Sequence, residues 1–195
     1  MARPPISVGL PERLRAEAAR LYLEAFGAKL GPILGRDARA EAFIADVLRP
    51  DHAVVAEDEG GRLLGLAGFH DEAGGFVGGG FRDLAQAYGL FGALWRAPAL
   101  ELFERSPEPR QLLMDGLVVA PEARGRGVGG AILNRIEALA IETGRAEVRL
   151  DVVDTNPRAR ALYERRGFEA VAETGSRLLR PIFGFSRSTT MVLAV

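Results

Sequence analysis

With 195 residues, 48% hydrophobic and 26% charged, the chain holds enough apolar surface for one globular domain and is short for two, so a single domain over 1–195 is expected. Cysteine is absent, which excludes disulfides, thiolate metal sites and cysteine nucleophiles, and two histidines leave little for a metal. A net charge of -1 gives no electrostatic reason to expect nucleic acid. No apolar run is long enough for a membrane span, and the N-terminus lacks a signal-peptide layout, so a cytoplasmic protein is expected. The basic residues are almost all arginine; Lys29 is the sole lysine.

In chain order, Ile6 to Leu10 is the first strand candidate. From Pro11 to Gly27 the spacing of Leu14, Ala18, Leu21 and Ala25 predicts a helix, with Gly31, Pro32 and Gly35 breaking it. A second helix is expected over Ala38 to Leu48, with Ala40, Phe43 and Val47 on its apolar face. Ala53 to Glu57 and Leu63 to Phe69 form a hairpin around Glu59-Gly60-Gly61. Gly74 to Gly80 is too glycine-rich for a packed element. Phe81 to Arg96 then carries Phe81, Leu84, Tyr88, Phe91, Leu94 and Trp95 at helical spacing. That stripe is either core, a lid over the site or a contact in a homodimer. A short segment, Ala99 to Arg105, and a Pro-containing loop close this 74–110 stretch. His52 and His70 fall at strand ends and are expected at the surface.

The second half alternates. A strand over Leu112 to Val119 leads to a helix over Gly127 to Thr143, with Ile132, Leu133, Ile136, Leu139 and Ala140 inward and Gly144 as its stop. Glu147 to Val153 is a strand, Asn156 to Arg166 a helix, and Phe168 to Glu173 and Thr189 to Val195 the last strands. This order requires an α/β sheet with a parallel pair.

The chemistry lies where a strand enters Arg124-Gly125-Arg126-Gly127-Val128-Gly129 and a long helix begins. Such a turn aims several backbone N–H groups at one point, where the helix dipole also favours an anion. Arg124 and Arg126 add charge beside it. A P-loop would need Gly-Lys-Ser/Thr, but Gly130-Ala131 follows, and the glycine spacing does not fit a dinucleotide fingerprint.

Arg124-x-x-Gly127-x-Gly129 after Leu117-Val118-Val119-x-Pro121 resembles the acyl-CoA motif of the GNAT superfamily of N-acetyltransferases. Asn156-Pro157-Arg158-Ala159-Arg160-Ala161-Leu162-Tyr163 through Gly167-Phe168 resembles its second signature. The resemblance covers Leu112 to Phe168. It implies a mixed, centrally splayed sheet of six to seven strands flanked by helices, with 74–110 as a helical insertion between the third and fourth strands. It implies an acyltransferase (EC 2.3.1.-) that moves acetyl from acetyl-CoA, with no metal, to a primary amine on a small molecule or a protein. The backbone of Leu117, Val118 and Val119 would pair with the pantetheine arm, and the amides of Arg124, Gly125, Arg126, Gly127, Val128 and Gly129 would hold the pyrophosphate. Asn156 would touch the pantetheine side, and Tyr163 would protonate the departing thiolate. An amine acceptor also needs a base, because an alkylamine near pKa ~10.4 is almost wholly protonated at neutral pH. Asp151 and Asp115 are the candidates. An acyl-CoA-binding module without transferase activity is the alternative reading.

Overall fold

The computed structural model describes residues 4–101, 106–175, 180 and 184–195. Its strands are β1 (Ile6–Val8), β2 (Ala53–Glu57), β3 (Leu63–Asp71), β4 (Gly74–Gly75), β5 (Gln111–Val119), β6 (Glu147–Val153), β7 (Glu169–Gly175) and β8 (Arg187–Ala194). Its helices are α1 (Arg15–Leu34), α2 (Ala38–Val47), α3 (Phe81–Glu101), α4 (Val128–Glu142) and α5 (Pro157–Arg165). The strands form one mixed sheet in the order β1-β2-β3-β5-β6-β8-β7, with β4 added beside β3. β2 and β3 read as near-continuous apolar runs because both faces of the sheet are covered there.

Alternate residues of β5 report the two covering layers. Leu117 and Val119 lie beside Gly129 of α4, whereas Gly116 lies against Phe26 of α1. α4 buries Val128, Ile132, Leu133, Ile136 and Ala140 on its side, and α2 buries Ala40, Phe43, Ile44 and Val47. Gly144, at φ 69°, ends the α4 segment as expected.

Two irregularities set up the site. The only parallel pair among the described strands, β5 with β6, is bridged by α4 and runs only from Gln111↔Glu147 to Met114↔Leu150. Beyond it β5 stays paired to β3 as far as Val119, and β6 to β8 as far as Val153, so the sheet opens between them. At the same point Gly68 pairs with Gly116 and Phe69 with Met114, which leaves Asp115 as the extra residue of a β-bulge.

Several elements differ from the sequence expectation. α1 runs through Gly27, Gly31 and Pro32 to Leu34. Arg36 folds back along it: its Nη2 donates to the Gly27 carbonyl at 2.9 Å, and its stem passes where a Cβ at Gly31 would lie. Those glycines are room for Arg36, not a stop. The 74–80 run is packed as well: Gly74 and Gly75 pair with β3, Val77 bridges to Leu48, and Phe76 is wholly buried. The α3 stripe is split by Gly89, whose φ of 74° kinks the helix. Leu84 and Tyr88 face inward, and the Tyr88 hydroxyl donates to the Leu34 carbonyl at 2.9 Å. Past the kink Phe91 is 89% and Trp95 47% exposed, so core packing does not explain that part of the stripe. The segment expected from Ala99 to Arg105 lies partly outside the described residues.

Gly68 of β3 leaves space for Phe76: a Cβ there would sit 2.7 Å from the Phe76 Cβ, which cannot swing away. Gly68→Ala is therefore expected to destabilise the fold by about 1–3 kcal/mol through overpacking. Urea unfolding monitored by circular dichroism measures this, and an unchanged midpoint would show that the Phe76 site has slack.

Candidate active site

The opened sheet gathers the residues singled out by sequence. Asp115 and Asp151 directly follow the last β5–β6 pair, one on each strand, and so stand at the vertex of the opening. Leu117, Val118 and Val119 form the β5 side, with an edge that no described strand occupies. An extended chain can dock on such an edge by backbone pairing.

The turn after β5 leads to α4. Gly125 and Gly127 adopt φ of 76° and 79°, and a Cβ on either would meet no protein atom. Gly129 differs: it lies inside the first helical turn, 3.4–3.5 Å from Leu117, Val119 and Leu162 measured from its absent Cβ. α4 has no side-chain cap and no acidic residue in its first turn. By contrast, Asp37 caps α2 and Asn156 caps α5, each accepting the amide three residues on. The α4 terminus thus presents N–H groups and a positive dipole end to solvent. Arg124 and Arg126 are exposed beside it, and Arg124 Nε donates to the Val119 carbonyl at 3.1 Å.

α5 is clamped to this region by Arg166, which donates to the Gly130 carbonyl at 2.9 Å and to Asn134. Asn156 holds α5 in place, since its side-chain oxygen is spent on the Ala159 amide. Tyr163 is buried against Phe168, with ring centroids 5.8 Å apart, and burial pushes its phenol up to about 12.

The two carboxylates differ in environment. Asp151 accepts the Thr190 hydroxyl at 2.6 Å, across the β6–β8 pair. Asp115 lies toward α1, where burial pushes its carboxyl above the usual range, opposed by His70 and Lys29. Tyr22 of α1 is pushed well upward by burial and then by Asp115. Beyond β6 a polar cleft of about 580 Å³ is lined by Asp154, Glu173, Arg180 and Arg187 among others.

The histidines are not surface residues. His52 is 3% exposed, with Nε2 3.2 Å from Asp71 and its ring 5.4 Å from Phe69. His70 is half-buried, with Nδ1 3.9 Å from Asp115. Their acidic neighbours come from the folded sheet, apart from Asp51, which is adjacent in sequence and 3.1 Å from His52 Nδ1. No group of metal-ligating side chains is found among the described residues. No described helix is long and apolar enough to cross a membrane.

A sheet that parts beside an open helix N-terminus offers a ligand both a backbone edge to pair with and a dipole end for an anion. The Acetyltransferase (GNAT) family model matches residues 15–168, and the chain belongs to this family. That family uses acetyl-CoA as cosubstrate. The chain is 34% identical over 64 residues to thialysine N-epsilon-acetyltransferase of Bos taurus, a stretch that covers 33% of this chain and 38% of that relative. The fold is similar to the crystal structure of an acetyltransferase, with TM-score 0.63 and 22% identity, covering 98% of this chain and 99% of the other. It is also similar to Ard1 from Thermoplasma volcanium, with TM-score 0.62 and 17% identity, covering 100% and 99%.

Burial makes the tyrosines late titrators, and this fixes a sign. Tyr22 and Tyr163 keep their protons in the folded state at pH values where the unfolded chain, with phenols near ~10, loses them. The stabilisation from these protons is present below pH ~10 and is lost as pH rises through the folded values. A tyrosinate absorbance titration of the folded protein should show at most one phenol, Tyr88, ionising early, and partial burial moves even that one above the ordinary value. Two or three phenols titrating near pH ~10 would contradict the burial of Tyr163.

Proposed function

We propose that the protein is an acetyl-CoA-dependent N-acetyltransferase that transfers acetyl to a primary amine by direct attack in a ternary complex. The observation that supports this most is the juxtaposition at the sheet opening: an uncapped α4 terminus and Tyr163 on one face, Asp115 on the other. The donor supplies an activated thioester. The amides of Arg124 to Gly129 bind its pyrophosphate, because only glycine at 125 and 127 lets phosphate reach the backbone in that left-handed turn. The free edge of Leu117 to Val119 aligns the pantetheine arm, and its N–H groups polarise the thioester carbonyl.

Asp115 is the better-suited base. A carboxylate whose proton affinity is raised accepts a proton near neutral pH more readily than an ordinary one. Asp151, held by Thr190, shapes the other lip of the opening. As the amine nitrogen bonds to the acyl carbon, its proton passes to Asp115. The carbon–sulfur bond breaks, and the Tyr163 hydroxyl gives its proton to the sulfur. Burial suits Tyr163 to this role, because the phenol stays protonated throughout the working pH range.

Two variants test this reading. Gly127→Val should weaken acetyl-CoA binding by at least tenfold in calorimetry while the protein stays folded, since the added side chain meets only the space reserved for phosphate and a local backbone strain. Tyr163→Phe should lower kcat by about 10²–10⁴-fold on the best amine of a panel, with acetyl-CoA affinity nearly unchanged. Acetyl-CoA binding without turnover of any amine would favour a binding module, and undiminished binding by a folded Gly127→Val would remove the phosphate assignment.

A further inference from the structure

Asp115 and His70 share one face of the sheet. His70 pairs with Leu113, and strand alternation puts Asp115, two residues on, on the same side. The bulge then brings Gly116, opposite Gly68, onto that face as well. The imidazole is held there by β4: a Cβ on Gly75 would come 2.9 Å from His70 Nδ1, so glycine at that position lets the ring lie flat on the backbone. Nδ1 and the Asp115 Oδ1 are then 3.9 Å apart, with side chains 20% and 24% exposed. The other groups acting on Asp115 are Tyr22 and Lys29 of α1, His52 from the turn before β2, and the Phe76 amide. Among them His70 has two ring nitrogens and partial access to solvent, which a proton carrier needs.

Resting on the acetyltransferase reading above, we propose that His70 is a positioning residue for Asp115, holding its carboxylate ready for the amine and then passing the captured proton to solvent. The proton leaves the amine nitrogen for the Asp115 oxygen and passes to the unprotonated Nδ1 of neutral His70. The same nitrogen then gives it up to water, so both groups end as they began. The 3.9 Å separation closes to hydrogen-bond distance with a small side-chain rotation.

The test separates this coupling from the enzymatic reading. Carboxyl and imidazole carbons of the full-length protein are titrated by NMR without acetyl-CoA or acceptor. His70→Gln should raise the Asp115 midpoint by about 1 unit, because the favourable field of the imidazole on the carboxylate is lost. In turnover assays His70→Gln should move the acidic limb of kcat/KM to higher pH by a similar amount, with the KM for acetyl-CoA within about twofold. Free imidazole should restore part of the rate of His70→Ala. Unmoved midpoints in folded variants overturn the proposal and leave the acetyltransferase assignment standing. Moved midpoints with an unchanged pH profile and no imidazole rescue overturn it too. If no amine is acetylated, the enzymatic reading fails, and the titration still reports whether the pair is coupled.

Discussion

Everything at this site depends on where β5 stops pairing with β6. Parallel ladders tolerate little local distortion, and one residue inserted opposite Gly68 and Phe69 is enough to bend β5 away after Met114. Because β3 and β8 continue to hold the outer edges of the parted strands, the gap stays open without being loose. The backbone groups exposed there carry a cost when buried without partners, so the gap is poised to accept an extended ligand. The same distortion places a carboxylate on each lip. The enzyme's opening and its acid–base groups thus have one structural origin.

The two faces of the sheet divide the work. On the α4 face lie the phosphate-facing amides and the proton-rich end of α5 with Tyr163. On the α1 face lie Asp115, His70, Tyr22 and Lys29. In the proposed reaction a thioester lies in the gap, reached by donor-binding groups from one side and by an acceptor from the other, which would keep the two proton transfers, one off the amine and one onto the sulfur, at separate places.

Much of the second half was legible because its signals are local. A glycine turn before an apolar helix, and Asn156 ahead of Pro157, place α4 and α5 within a residue or two. The first half depends on distant partners. Gly31 looks like a helix stop until Arg36 is seen lying over it, and Phe76 looks like part of a loop until Gly68 is found beneath it. The aromatic stripe was read at one continuous helical spacing, but after the left-handed Gly89 it is Ala93 that is buried, while Phe91, Leu94 and Trp95 turn toward solvent. His70 carried no signal at all, since Asp115 lies far along the chain and meets it only through the β3–β5 pairing. The opening itself was expected from the resemblance.

The arginine-rich surface has a chemical consequence. A protein that holds a reactive thioester risks acylating its own amines. Guanidinium groups stay protonated and are poor nucleophiles, whereas an ε-amine reacts whenever it loses its proton. Here the only ε-amine is that of Lys29, half-buried on α1 and in the field of Asp115, while the exposed cations around the α4 turn, Arg124 and Arg126, are guanidinium. Positive charge beside the proposed phosphate site is thus held in a form that an acyl thioester does not consume.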